Sequence, residues 1–513
     1  MTEYGGYSAP PVPPPPGDED EKKSDQPVEI PLWAIVAAGV VALALVVVAA
    51  VMVLRPPGRD EGPVGPLPTS KPSYPATWNP KIKPIADKAA VMRSLDFDHP
   101  VPVRFLTSKK FDKTLTGEGE EFTREDRAQL EHQTALLRAL GLVTGDLDLA
   151  EAASSGSSGG VLAYYDFEDE RITVRGKKIT PAVRVTLVHE LTHVLDDQNF
   201  QVGDRLDKLE KQAEKGPDTP AAAVLRAMVE GDARRVESVY RGSLREADRR
   251  VLARYEHRQF VEAQERVGDD VPPLLVTQAS APYVLGEGLM QTLATNGGND
   301  SVDRLFRKPP VHDSILLDPY RVIRRDTGAT KVAVPSLAAG EKEFVSGELG
   351  VLSWYFMLAE RLPLGQALTA ADGWGGDAYV AFDRGDTTCA KLAFAGRTKE
   401  ATSRMRSALD QWAAAAPGEQ TVTSAGGLVR VASCDPGTGV SDAADTSQAA
   451  LGLLATRAAA LVAIAKQGAT LEAASCVVSK LLATFSVDQL NDPEYVQLPS
   501  VQAQLYQIGV SCR

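Results

Sequence analysis

Residues 186–198 read TLVHELTHVLDDQ and hold His189, Glu190 and His193 in the pattern H-E-x-x-H. On an α-helix, side chains four positions apart lie on one face, so both imidazoles can point at a single ion. Glu190 follows His189 and projects toward the same cleft. Neutral imidazoles suit Zn²⁺, and a catalytic zinc site keeps three protein ligands and one water. The chain has only six histidines, so the pattern is not expected by chance. Val185, Leu187, Val188, Leu191, Val194 and Leu195 predict a helix packed into a core, and Pro181 suits its first turn. Two β-rich runs, VLAYYDF and RITVRG, precede it as a predicted hairpin.

Such a site requires a third ligand. The residues after His193 are VLDDQNF, with no third histidine in the H-E-x-x-H-x-x-G-x-x-H arrangement. The segment 220–240, PAAAVLRAMVEGDARRVESVY, is strongly helical, and its Glu230 sits among Met228, Val229 and Ala233. A carboxylate buried in such a run needs a cation or a proton, which makes Glu230 the expected third ligand. Asp197 falls one turn after His193, where it could orient a ligand imidazole, lie on the surface, or serve as an alternative ligand. The first of these is the reading preferred here. In such a site the zinc ion would lower the pKa of a bound water, and Glu190 would take its proton.

The N-terminus sets the surroundings. Residues 1–31 are rich in Pro and charge and read as a disordered cytoplasmic tail. Leu32–Leu54 carries no charge; at 1.5 Å per residue it reaches about 35 Å, enough for a hydrocarbon core of about 30 Å. It is expected to be an uncleaved transmembrane anchor in contact with the lipid bilayer. Residues 55–84 are dense in Pro and read as a spacer. Lys22 and Lys23 before the span balance Arg55 and Arg59 after it, so flanking charge does not orient it. Cys389, Cys434, Cys476 and Cys512 break the tie. Four scattered cysteines suggest disulfides, which persist in oxidising compartments, so the C-terminal part is placed outside the cytoplasm.

With 513 residues the chain has room for more than one domain. The net charge of −13, with no dense Lys/Arg patch, argues against a nucleic-acid partner. Residues 85–375 read as one domain and 376–513 as a C-terminal α+β region. VPVRFL at Val101–Leu106 reads as a strand, a helix follows Thr123, and SSGSSGG near Ser154 reads as a flexible loop. Cys389 and Cys434 fall on predicted neighbouring strands and are the preferred pair, which leaves Cys476 for Cys512. Two Ala-rich segments, SQAALGLLATRAAALVAIAKQ and LEAASCVVSKLLATF, are broken by polar residues and read as helices rather than membrane spans. His99 and His132 read as surface histidines, and Trp374 as part of a tight, packed corner.

HELTHVLDDQ followed by AMVEGDA resembles the thermolysin-like gluzincins. It is more closely similar to the membrane-anchored neutral zinc metallopeptidases of actinobacteria and haloarchaea. The later stretches APYVLGEGLMQTLATNGGNDSVDRLFRKPP, GELGVLSWYFMLAERL and ADGWGGDAYVAF look similar too, so the resemblance runs from Tyr164 to Phe382. It implies an α+β, mainly helical gluzincin-like domain with a small mixed or antiparallel sheet before the H-E-x-x-H helix. It also implies one Zn²⁺ per chain at His189, His193 and Glu230, with Glu190 as the base acting on a peptide or protein substrate. A gluzincin supplies a Tyr or His to steady the oxyanion; Tyr240, His257 and His312 are the candidates. The chain departs from the family at PPVHDSILLDPYR, where a Ser/Thr-Glu and a His-Pro pair are usual. Two other readings stand beside the peptidase. One is a catalytically silent ectodomain that binds an envelope partner, and the other is a zinc hydrolase of a non-peptide envelope amide.

Overall fold

The computed structural model describes residues 74–116, 123–149, 160–267, 272–440 and 446–513. The tail, the anchor expected at Leu32–Leu54, most of the spacer and the loop near Ser154 lie outside these residues. Within them the spacer ends earlier than the sequence suggests. Helix α1 begins at Lys83, Trp78 packs edge-on against Phe97, and Tyr74 stacks on His99 and donates a hydrogen bond to Glu170. Aromatic side chains in a Pro-rich run find a surface to bury on, and the chain folds back from Tyr74 onward.

The elements of the first half are α1 (Lys83–Arg93), β1 (Val103–Leu106), α2 (Ser108–Thr116) and α3 (Arg124–Ala139). The hairpin β2 (Ala163–Asp166) and β3 (Arg171–Arg175) leads into α4 (Pro181–Phe200). Next come α5 (Val202–Ala213), α6 (Ala221–Gly242), α7 (Glu246–Val267) and α8 (Pro273–Arg307). Thr123 caps α3 in a reciprocal box with Asp126, and Thr180 caps α4 just before Pro181. Strand β3 is central in a three-stranded sheet, parallel to β1 and antiparallel to β2, so β2 forms a free edge.

The second half alternates β4 (Glu341–Gly347), α9 (Val351–Ala359) and α10 (Leu364–Ala371) with the long hairpin β5 (Trp374–Arg384) and β6 (Thr387–Gly396). It continues through α11 (Lys399–Ala415), β7 (Gln420–Ala425), β8 (Leu428–Cys434), α12 (Ser447–Lys466), α13 (Leu471–Thr484) and α14 (Pro499–Val510). The strands form an antiparallel sheet in the order β4-β5-β6-β8-β7. Because β5 starts at Trp374 and pairs with β4, the boundary read at 375/376 falls inside one sheet. Cys389 faces Cys434 across β6 and β8, and these two are bonded, as are Cys476 and Cys512. Trp374 is fully buried and donates to Asp377.

Among the described residues one helix, α12, is long and apolar enough to cross a membrane, with a mean hydropathy of 1.6 over its most apolar window. It packs against α8 and α13, burying Leu451, Leu454 and Leu461, and its buried Arg457 bonds Asp372.

Two cores divide the molecule. The smaller joins α1, the three-stranded sheet, the first four turns of α4 and the end of α6. The larger joins the start of α6 with α8, the five-stranded sheet and the C-terminal helices. Helix α6 runs through both: Ala227, Met228 and Val229 belong to the larger, Val236 and Tyr240 to the smaller. Glu230 therefore sits at the seam. Behind it lies a buried ionic knot. Arg93 of α1 donates to Asp232 of α6 and, at 2.7 Å, to Asp303 of α8, and lies 3.3 Å from Asp196 of α4. Arg235 completes it through Asp232 and Asn299.

Candidate metal centre

Helix α4 is buried almost all round, as its apolar residues require. It carries His189 and His193 on one stripe, their ring centroids 4.6 Å apart and nearly perpendicular. Glu230 faces them from α6, its Oε2 3.2 Å from His189 Nε2 and 3.5 Å from His193 Nε2. One potential ligand atom from each of the three lies within 4.8 Å of the others, and these three form the one such group among the described residues. Tetrahedral zinc with bonds of about 2.0–2.1 Å needs donors about 3.3 Å apart; the two distances to Glu230 match that spacing, and two imidazoles with a carboxylate suit the ion chemically.

The charges agree. Burial disfavours a cationic His189, yet hydrogen bonds to Glu230 and Glu237 overcome this and push it up to about 10. Burial raises Glu230, but His193 and His189 together hold it well below the carboxylate range. The carboxylates around His189 thus favour positive charge at this position.

Three groups at the cluster were not expected from the sequence. Glu237 accepts from His189 Nδ1 at 3.2 Å and is itself held by Arg234 and Arg241 at 2.7–3.0 Å. Its signal was available: it lies seven residues, two helical turns, after Glu230 on the same face. The backbone N–H of Tyr165, on the free edge of β2, donates to Glu190 Oε2 at 2.8 Å. Burial raises the Glu190 pKa, with nearby Glu230 adding to the shift and His189 and His193 opposing it. Tyr283 of α8 stacks over His189 with ring centroids 6.3 Å apart. Burial, then the carboxylates of Glu230 and Glu190, hold its hydroxyl protonated far above the usual phenol range. No local pattern marks Tyr283.

Four expectations need correction. Asp197 does not orient an imidazole. Its carboxylate accepts from the Tyr165 hydroxyl at 2.9 Å and from Gly203 N–H at 2.8 Å, so it braces β2 and caps α5. Tyr240 lies about 15 Å along α6 from Glu230, buried in the smaller core beneath Lys88. His257 is exposed on α7. His312 bonds Glu348 at 2.8 Å and packs beside Trp374, while its neighbour Asp313 caps α9. None of these three joins the cluster. His99 and His132, read as surface histidines, are both partly exposed and lie 3.5 Å from Glu170 and 3.4 Å from Asp383.

Compared with known protein families, curated proteins and solved structures, the chain matches none.

Proposed function

We propose that the protein is a zinc-dependent peptidase, anchored by Leu32–Leu54 and acting outside the cytoplasm. The observation that carries this reading is the convergence of His189, His193 and Glu230, with Glu190 alongside and Glu237 behind His189. A zinc ion held by the three would supply Lewis acidity, polarising a carbonyl and lowering the pKa of water from about 15.7 toward 7. Glu190, fixed through one oxygen by Tyr165 N–H, has its other oxygen for taking and returning the proton. Tyr283, whose ring stacks over His189 and whose hydroxyl hydrogen-bonds Glu230, is the donor for charge developing on the carbonyl oxygen. Phe167 packs beside this face, its ring centroid 6.0 Å from that of His193. The two disulfides support an oxidising compartment.

The test is zinc content and casein hydrolysis for the full chain, Glu190→Gln and Glu230→Ala. The expected result is about one zinc per chain in the parent and in Glu190→Gln. Glu190→Gln should lose at least about 10²-fold in turnover, and Glu230→Ala should lose the metal. A zinc-free parent, or a Glu190→Gln variant with full turnover, sinks the reading.

A further inference from the structure

Two glycines stand where α6 and α8 cross. Gly231 directly follows Glu230, and Gly286 lies three residues after Tyr283. Their backbones are in direct contact. A Cβ added at Gly286 would overlap the Ala227 carbonyl and come within 3.0 Å of Gly231 Cα, and one added at Gly231 would overlap the Gly286 carbonyl group. Neither glycine has a left-handed backbone, so conformational freedom does not explain them. Each lies in a helix, where glycine costs about 1 kcal/mol relative to alanine. Close approach is what the two positions share. It brings the Tyr283 side of α8 against the Glu230 side of α6 at the seam between the cores.

We propose that Gly231 and Gly286 are positioning residues, whose contact holds the Tyr283 hydroxyl at the distance from the His189–His193–Glu230 cluster that a substrate's developing oxyanion requires. This rests on the peptidase reading and adds to it a second requirement, the spacing of two helices. The overlaps cannot be relieved by rotating a side chain, because the atoms met are backbone. An alanine at either position must push the helices apart, and a misplacement of about 1 Å can cost on the order of 10²-fold in a catalytic arrangement. The metal ligands lie on α4 and on α6 itself, so widening the α6–α8 gap moves Tyr283 and leaves the donor set together.

The experiment is a double-mutant cycle on the full chain with Gly286→Ala and Tyr283→Phe, read by zinc content and by affinity for a phosphinic peptide, an uncleaved mimic of the oxyanion. Gly286→Ala should keep about one zinc per chain and weaken phosphinic-peptide binding by about 10- to 100-fold. In the Tyr283→Phe background the same substitution should change binding less than about twofold, because the displaced hydroxyl is already gone. A purely structural glycine would weaken binding equally in both backgrounds, and that result overturns the proposal. Gly288→Ala is the control for general overpacking. Its Cβ would press on Ala458 Cβ of α12, at 2.7 Å, on another face of α8, so it should lower the melting temperature without coupling to Tyr283. If Gly286→Ala does not fold, Gly231→Ala takes its place. A crystal structure of the metal-free variant should show α6 and α8 further apart than in the parent, and an unchanged separation also overturns the proposal. Zinc and phosphinic-peptide binding without coupling defeat this inference and leave the peptidase standing. A parent that binds neither defeats both.

Discussion

Replacing Arg93 by methionine removes a cation that touches α4, α6 and α8 together. The guanidinium is fully buried, bonds Asp232 and Asp303, and lies 3.3 Å from Asp196. Methionine fills much of the volume, so the cavity contribution is small and the charge effect dominates. Removing one partner of a buried ion pair costs about 3–5 kcal/mol, because the remaining charges stay buried without compensation. At roughly 2.1 cal/mol/K of unfolding entropy per residue over about 400 folded residues, that corresponds to a melting temperature lower by about 3–6 °C. The pH dependence gives the diagnostic sign. Burial, then Asp232, raises the Asp196 pKa well above its ordinary value, and Arg93 opposes this. Without Arg93 the folded state gains more from binding a proton there, so stability rises as the pH falls. The assay is urea denaturation of parent and variant at pH 7 and pH 5, followed by tryptophan fluorescence. The deficit should be smaller at pH 5. A loss below about 1 kcal/mol at pH 7, or a deficit that grows on acidification, would refute the reasoning.

Glu237→Gln keeps the shape of the His189 partner but removes its charge, and such outer-shell changes weaken metal affinity by about 10- to 100-fold. Competition with a chromophoric chelator measures this, and an unchanged affinity would show that Glu237 does not tune the cluster. Asp313, which caps α9 through Val351 and Leu352 N–H, is pushed up from 3.8 to about 7, chiefly by burial. A folded pKa above the unfolded value means its contribution is fully present below about 4 and lost as the pH rises through about 7. Asp313→Asn should therefore flatten the fall of stability between pH 4 and 7 in a series of urea melts. Parallel slopes for parent and variant would exclude this group as the cause.

How much of the site was legible follows from the range over which each signal acts. His189 and His193 were readable because helical periodicity is local: two residues four apart share a face whatever else the chain does. Glu230 was readable because a carboxylate inside AMVEGDA must be compensated wherever that helix packs. The cysteine pairing followed from strand neighbours, Cys389 opposite Cys434. Glu237 obeyed the same periodicity, two turns beyond Glu230, yet its bond to His189 depends on how α4 and α6 pack.

The sequence by itself determined the main helices, the face that His189 and His193 share, and the apolar run at Leu32–Leu54. The tertiary structure alone decided which side chains meet at the seam. Tyr283 lies 94 residues beyond His189 and stacks over its ring near the point where Gly231 and Gly286 bring two helices into contact. Asp197 shares the histidine stripe but is drawn off by the Tyr165 hydroxyl and Gly203, two groups brought to it by the hairpin and the start of α5. Local periodicity fixes the face a residue occupies. The partner it meets there is set by packing between segments far apart in the chain, where no short-range pattern is written.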